Sequence, residues 1–332
     1  MSGLQAISID DLGLLRIEAP SRLPAYIPES FLRQFDEAHD WREAVHRFLH
    51  TEPPTGSYEK NLSTARRSFQ RPSLRNLFGT VRLGAHGLPQ HSYDSDEERL
   101  QHELVQLEEM GANLYGLWYA DGLERVAATF GIPAKTELTA FLVGAYGADP
   151  RLATTFSTAL RLFWQEEFDA SAHLAVPIVE ASARGLLLEL NEPLYRVEQG
   201  NTIGQFPGLG FLLPQLLKLG FDPDWERFLG TLLLPRGENI RNLVAHGFVH
   251  DIRRSTAALV LRAAGLMAIL APGDGAAEDE KVVRERLRDP LWAQKLYKHK
   301  HPIRERIARA GRLATSAVSK LRIRQEKGAQ PN

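Results

Sequence analysis

Cysteine is absent from the 332 residues of the chain. Its absence excludes disulfide bonds, thiolate nucleophiles and zinc or iron–sulfur centres held by cysteine, and a reducing, cytoplasmic location is expected. An excess of one charge is also lacking, because 40 basic residues oppose 41 acidic ones for a formal net charge of -1. No global field draws the whole chain to nucleic acid or a membrane, so any such attraction must be local.

Long hydrophobic runs are scarce too. The longest, AALVLRAAGLMAILA at 257–271, contains Arg262 and is shorter than the roughly 18 to 20 residues that span a bilayer. We interpret it as a buried helix. The first residues, MSGLQAISIDDLGLL, place Asp10 and Asp11 where a signal sequence is apolar, so no export signal is predicted.

The apolar residues that are present follow helical spacing almost throughout. Trp41, Val45, Phe48 and Leu49, for example, recur at i, i+4, i+7 and i+8. Strand-like alternation is rare, which predicts an all-α protein. We expect three regions: a helical N-terminal region of unassigned role at 1–150, a helical domain at 151–272, and a linker with a basic tail at 273–332.

The tail concentrates positive charge. Between residues 295 and 327, eleven basic side chains oppose two acidic ones, which gives this segment a net charge of +9. Its apolar residues fall on one helical face, so a basic amphipathic helix is predicted. Such a helix can lie along RNA phosphates, an anionic membrane or an acidic partner, or remain a solvated or disordered tail. The candidate RNA ligands within it are Arg304, Arg309, Arg312 and Lys320.

The stretch RGENIRNLVAHGFVH at 236–250 places polar groups in an apolar pattern. If it is helical, Asn242, His246 and His250 share one stripe at i, i+4 and i+8, and Arg241 flanks that stripe.

Gly247 lies inside the same stretch. A glycine in a helix interior costs roughly 1 kcal/mol against alanine, so we expect another helix or a substrate to approach its backbone closely.

A second helix, predicted at about 168–190, carries a polar stripe of its own. His173, Glu180 and Arg184 stand at i, i+7 and i+11 on an apolar body, and Pro177 on the same stripe is expected to kink the helix. If the two stripes face each other, Glu180 pairs with Arg184 or Arg241 and orients it, because charges removed from water are retained mainly when paired.

An arginine beside a histidine suits cleavage of RNA by its own 2′-hydroxyl. The imidazole exchanges a proton near neutral pH, and the guanidinium stabilises charge that accumulates around phosphorus, so no metal or other cofactor is required. A structural Arg–His pair is the alternative interpretation. A zinc pair of His246 and His250 lacks the glutamate of HExxH and a nearby third ligand, so no metal is predicted.

The segment GENIRNLVAHG resembles the RNxxxHG signature of a bacterial and eukaryotic family of unknown function, itself similar to a branch of the HEPN superfamily. Arg241 matches the arginine, Asn242 its polar follower, His246 the histidine and Gly247 the glycine. The upstream EFDASAHLAVPIVEASARGLLLE and the intervening FPGLGFLLPQLL and DWERFLGTLLL are also similar to that family, so the likeness covers about residues 165 to 272.

This resemblance implies an up-and-down bundle of about four or five helices, usually dimeric, in which two copies of the motif meet in a composite cleft. Many HEPN members are metal-independent RNases of toxin, antiphage or stress systems, and others are noncatalytic scaffolds. Glu180 and Arg184 resemble the E-x3-K/R pair on an early helix of some HEPN families. The resemblance does not extend to residues 1–150.

We therefore expect an endoribonuclease of HEPN type, with RNA and a second copy of the chain as partners and no membrane partner. His246 is the expected general acid/base, Arg241 the ligand of the phosphate and transition state, and Asn242 positions the substrate or the histidine. The expected supporting residues are Glu180, Arg184, His173 and Gly247. The alternative is a noncatalytic interaction module, in which the motif side chains form hydrogen bonds across a dimer interface. Catalytic side chains line a solvent-reachable cleft, whereas a structural network is sealed.

Overall fold

The computed structural model describes residues 26–70, 80–83, 89–195, 206–249, 251–273 and 280–294. Within these ranges the chain forms twelve α-helices and one two-stranded antiparallel sheet. The helices are α1 Tyr26–Asp36, α2 Trp41–Leu49, α3 Tyr58–Gln70, α4 Asp96–Phe130, α5 Lys135–Tyr146, α6 Pro150–Trp164, α7 Phe168–Glu189, α8 Leu209–Lys218, α9 Pro223–Leu233, α10 Ile240–Ala245, α11 Arg254–Leu270 and α12 Glu280–Arg288. The strands are β1 Thr80–Leu83 and β2 Pro89–Tyr93, with Thr80 opposite Tyr93. The described chain is mostly helical, which confirms the all-α class.

Helix α11 lies in the core. Every residue from Ser255 to Leu270 is buried, and the helix packs against α4, α6 and α7. This confirms the interpretation of the run at 257–271 as a buried helix. No single helix within the described ranges has both the length and the apolar composition to cross a membrane, although the pair α4 and α5, bent by 114°, meets both criteria when taken together.

Helix α7 is the predicted second polar-striped helix. It begins at Phe168, ends at Glu189, and continues through the exposed Pro177. Its buried face, made largely of alanine, valine and leucine, packs against α6, α8 and α11. The short helix α10, which carries the motif arginine, packs against α7 and α9. The two elements with polar stripes are therefore neighbours.

Helix α4 connects the N-terminal helices to the core. It begins at a capping box, in which the Ser95 hydroxyl accepts from the Glu98 N–H and the Glu98 carboxylate accepts from the Ser95 N–H. Helices α1, α2 and α3 pack on α4, and so do α9 and α11. The described residues between 26 and 290 group as one compact unit, which includes residue 150. A second unit begins at Leu291, and 291–294 are its described residues.

One residue of the acidic segment at 93–109 departs from expectation. Its seven acidic residues predict, by default, the solvated face of a helix, but Glu108 is fully buried. It accepts two hydrogen bonds from the Arg227 guanidinium of α9, at 2.7 and 2.6 Å, and one from the Thr231 hydroxyl at 2.8 Å. The prediction was wrong for Glu108, which instead joins α4 to α9.

Candidate functional site

The turn between α9 and α10 fixes the start of the motif helix. At Gly237 an added Cβ would lie 1.9 Å from the Thr231 carbonyl oxygen, so only glycine allows this approach. The same oxygen accepts the Glu238 N–H at 2.7 Å. The Glu238 carboxylate accepts in turn from the Asn113 amide of α4, at 3.1 Å. Both α9 and α4 therefore determine where α10 begins.

Asn239 immediately precedes α10 and has a left-handed backbone, at a φ of 59°, which asparagine tolerates better than most residues. Its side-chain oxygen accepts from the Asn242 amide nitrogen at 2.8 Å. The Asn242 oxygen accepts from Nη1 of Arg241, also at 2.8 Å. Asn242 thus links the turn to the motif arginine and restricts the direction of its guanidinium.

Glu180 of α7 joins two arginines. Its Oε2 accepts from Nη2 of Arg241 at 3.2 Å, and its Oε1 accepts from Nη2 of Arg184 at 3.0 Å. The three side chains are between 21% and 33% exposed, so the cluster is in contact with solvent. Two guanidinium groups and one carboxylate leave a net charge of +1. The expected pairing of Glu180 is present with both arginines.

An open cleft of about 520 Å³ lies beside this cluster. Its lining residues are Glu180, Phe206, Pro207, Gly208, Leu209, Gly210, Phe211, Leu234, Pro235, Arg241 and Asn242. The first turn of α8 forms part of the wall, and no side chain caps it at Gly208. The partial positive charge of a helix N-terminus adds to that of Arg241, so this wall of the cleft attracts anions.

Two exposed aromatic rings adjoin the cleft. Phe206 lines it, and Tyr195 contacts Phe206 edge-on, with ring centroids 5.4 Å apart. The Arg184 guanidinium lies over the Phe206 ring, 5.6 Å from its centroid. Charged and aromatic groups therefore meet at one edge of the cleft.

His246 lies outside the set of cleft-lining residues. Helix α10 ends at Ala245, so His246 follows its last turn and is exposed, with its ring 6.2 Å from that of Phe248. The described part of the stretch at 236–250 is helical over six residues only, so Asn242 and His246 do not share a continuous helical stripe with the residues that follow. His250 falls outside the described residues. Within one chain, Arg241 and Asn242 share the cleft wall and His246 does not.

Gly247 ends the helix. Its φ is 67°, its N–H donates to the Val244 carbonyl at 3.2 Å, and the Phe248 N–H donates to the Leu243 carbonyl at 2.9 Å. This pair of bonds is a Schellman closure, for which a left-handed glycine is preferred. An added Cβ would meet no atom within 4 Å, so no helix of the described chain approaches its backbone closely, and the approach of a substrate stays a prediction.

His173 is exposed on α7 and also lies outside the set of cleft-lining residues. Its Nδ1 is 2.7 Å from the Asp169 carbonyl oxygen, one turn earlier. The Asp169 carboxylate accepts from the Ile252 N–H at 2.8 Å, which attaches the segment after the motif to the start of α7. The structure therefore separates His173 from Glu180 and Arg184.

Two predictions lie wholly or partly outside the described residues. Arg304, Arg309, Arg312 and Lys320 lie outside the described residues. Across the part of the chain that is described, no three His, Asp or Glu side chains are grouped as metal ligands. Because His250 is not described, the expectation of no metal stays a prediction.

A second polar cluster lies in the core around Arg262 of α11. Its Nε donates to the Thr51 hydroxyl at 2.9 Å and its Nη2 to the Thr51 carbonyl at 2.7 Å, and the guanidinium lies over the Trp225 ring. Burial lowers the pKa of Arg262 to about 10 and raises the pKa of the neighbouring Tyr119 to about 12. Perturbed pKa values often mark active sites, but these side chains are sealed from solvent. We assign them to the packing of α2, α4 and α11.

Sequence reasoning missed several residues that build the site. Phe206 lies within GNTIGQFPGLG at 200–210, and Tyr195 precedes that stretch. The stretch has several glycines but no phosphate-binding GxxxxGK(S/T), so its sequence predicts only a flexible connection. Gly237 and Asn239 lie within four residues before Arg241, and a glycine and an asparagine close together in the chain are a sequence signal for a tight turn.

No family model, curated protein or solved structure matches the chain.

Proposed function

We propose that the protein is a metal-independent endoribonuclease of HEPN type. The observation that carries this proposal is the position of Arg241, which stands on the wall of an open cleft and is oriented by Glu180 and Asn242. A guanidinium held in this way is preorganised for a phosphate, because less side-chain freedom is lost on binding. The packing of α7 against α6, α8, α10 and α11 supports a HEPN-like bundle.

In the proposed reaction the 2′-oxygen of a ribose attacks the adjacent phosphorus, and the bond from phosphorus to the 5′-oxygen of the next nucleotide breaks. One proton leaves the 2′-hydroxyl, and one proton reaches the departing 5′-oxygen. His246 exchanges protons as the general acid/base, and Arg241 neutralises charge on the non-bridging oxygens. Asn242 positions the substrate or the histidine. The products are a 2′,3′-cyclic phosphate and a free 5′-hydroxyl.

His246 does not line the cleft that holds Arg241 within one chain. The proposal therefore includes a second copy of the chain, which supplies the histidine. His246 and Phe248 are both exposed, so they are available to a partner subunit. In a dimer the histidine of one chain meets the arginine of the other. The basic tail adds phosphate contacts, and the activity serves a defence, toxin or stress system.

A noncatalytic interaction module is the second candidate. The observation that favours it is the same exposure of His246 and Phe248 outside the cleft. Aromatic side chains such as Phe248 are enriched in protein interfaces, and a dimer can form through them without turnover. Under this proposal, Arg241→Ala changes association and no RNA is cleaved.

The decisive experiment is incubation of total cellular RNA in EDTA with wild type, Arg241→Ala and His246→Ala. Arg33→Ala and His39→Ala are matched controls, because both side chains are exposed and lie on other elements. Folding and oligomeric state are measured for every variant. We expect wild type and both controls to produce 2′,3′-cyclic phosphate ends and the motif variants to lose at least about 100-fold in rate, as for removal of an acid/base or oxyanion ligand. No cleavage by wild type contradicts the proposal.

A further inference from the structure

The edge of the cleft carries an unusual exposed pair of aromatic rings. Tyr195 is 57% exposed and Phe206 is 58% exposed, and the two rings meet at an interplanar angle of 77°. Rings of this size are normally buried or held in an interface, because their apolar surface is costly to hydrate. Two in contact, beside an open cleft, indicate a surface that receives a ligand.

The pair is connected to the charged cluster through Arg184. Its guanidinium lies over Phe206 and is held by Glu180, whose other oxygen holds Arg241. Phe206 and Arg241 both line the cleft, whose volume of about 520 Å³ is within the roughly 300 to 1,000 Å³ of small-molecule sites. A flat ring and a phosphate-binding cation therefore stand on the walls of a space suited to a nucleotide.

This combination matches the chemistry of an unpaired nucleotide. Every base has a flat face that stacks on an aromatic side chain, and its phosphate pairs with an arginine. In a duplex each base face is covered by the neighbouring bases, so only a single strand can offer a free base face.

We propose that Tyr195 and Phe206 form a stacking platform for one unpaired base of single-stranded RNA, next to the phosphate that Arg241 binds. Because the two rings are nearly perpendicular, one ring stacks on the face of the base and the other contacts its edge. Arg184 keeps the Phe206 ring in place. Glu180 binds both Arg184 and Arg241, so it sets the distance between the platform and the phosphate ligand Arg241. The inference rests on the proposed ribonuclease function, and it names the substrate of that site as unpaired RNA. Sequence preference is low, since stacking accepts every base.

The test is fluorescence anisotropy with a labelled oligoribonucleotide of about 12 nucleotides, within the roughly 4 to 16 that such surfaces cover. Its 2′-hydroxyls are methylated so that it cannot be cleaved. The proteins are wild type, Phe206→Ala, Tyr195→Ala and Phe206→Trp. Met110→Ala of α4 is the control, because Met110 is 67% exposed and lies outside the cleft.

We expect Phe206→Ala and Tyr195→Ala each to weaken binding by about fivefold to 100-fold, in the range measured for one stacked base. Phe206→Trp restores binding, and Met110→Ala leaves it unchanged. An abasic strand of the same length binds the wild type and the alanine variants equally. The ratio between variants persists at higher salt, whereas phosphate contacts from the basic tail weaken.

The platform proposal is contradicted if the alanine variants lose as much affinity for the abasic strand as for the intact strand, or if they bind the intact strand like wild type. So does a duplex that binds as tightly as the single strand, or a free mononucleotide that competes at equal concentration. Cleavage separates the two proposals. If platform variants bind and cleave as wild type while Arg241→Ala is inactive, the platform fails and the ribonuclease stands. If the platform binds as expected but wild type cleaves nothing, the ribonuclease fails and the platform stands.

Discussion

Replacing Glu108 by leucine is expected to destabilise the fold by about 3 to 5 kcal/mol, the usual cost of removing one partner of a buried ion pair. The Glu108 side chain is fully buried and that of Arg227 is 12% exposed, so solvent cannot take over the lost partner. Two charge-assisted hydrogen bonds, at 2.7 and 2.6 Å, disappear together, and Thr231 loses its acceptor. The assay is equilibrium unfolding in urea, with the midpoint and slope measured for each variant.

The double variant Glu108→Leu/Arg227→Met distinguishes the cost of leaving Arg227 unpaired from the cost of altered packing. It removes both charges and keeps similar apolar volume, so its stability is expected within about 2 kcal/mol of wild type. A cost below about 1 kcal/mol for Glu108→Leu alone, or a double variant as unstable as the sum of the single ones, refutes this account of how α4 is joined to α9.

Two further perturbations test other parts of the structure. Gly237→Ala is expected to cost about 1 to 3 kcal/mol and to reduce RNA cleavage, because its Cβ would lie 1.9 Å from a backbone oxygen. Gly144→Ala, with nothing within 4 Å and a place inside α5, is the control and is expected to stabilise by up to about 1 kcal/mol in urea unfolding; equal behaviour of the two variants contradicts the steric account. Burial lowers the pKa of His50 from 6.5 to about 4, so the folded state disfavours the charged imidazole. The contribution of neutral His50 to the stability of the fold is therefore complete above pH 6.5 and is lost as the pH falls through 4. The difference corresponds to about 3 kcal/mol, and His50→Phe is expected to flatten the pH dependence of urea unfolding by that amount; an unchanged profile would show that His50 is not responsible.

The helical spacing of apolar residues correctly predicted those helices that are buried along most of their length. The run at 257–271 is α11, and the stripe at about 168–190 is α7, because uninterrupted apolar spacing leaves little choice of structure. Glu108 shows where composition misled. It lies four residues after Leu104 and four before Ala112, both buried, so spacing placed it on the inner face of α4 although its charge suggested the surface.

Gly247 shows a second limit of local reasoning. A glycine near the end of an apolar pattern predicts a helix terminus as well as a close approach, and the structure shows the terminus. The contact between Tyr195 and Phe206 had no local signal at all. Ten residues separate them in the chain, and their meeting depends on how the chain runs from α7 to α8.

The geometry of α10 depends on residues that the motif itself does not contain. Asn113 of α4 holds the Glu238 carboxylate, and Glu108, just over one turn earlier on α4, holds Arg227 of α9. Both contacts reach the chain within fifteen residues of Arg241, and both come from the region to which the sequence assigned no role. Because a side chain with the role proposed for Arg241 must be held within about 0.5 Å of its productive position, we infer that α4 contributes to the site by positioning α10. A short motif on a six-residue helix cannot hold its arginine without such support, since an isolated helix of that length is unstable in water.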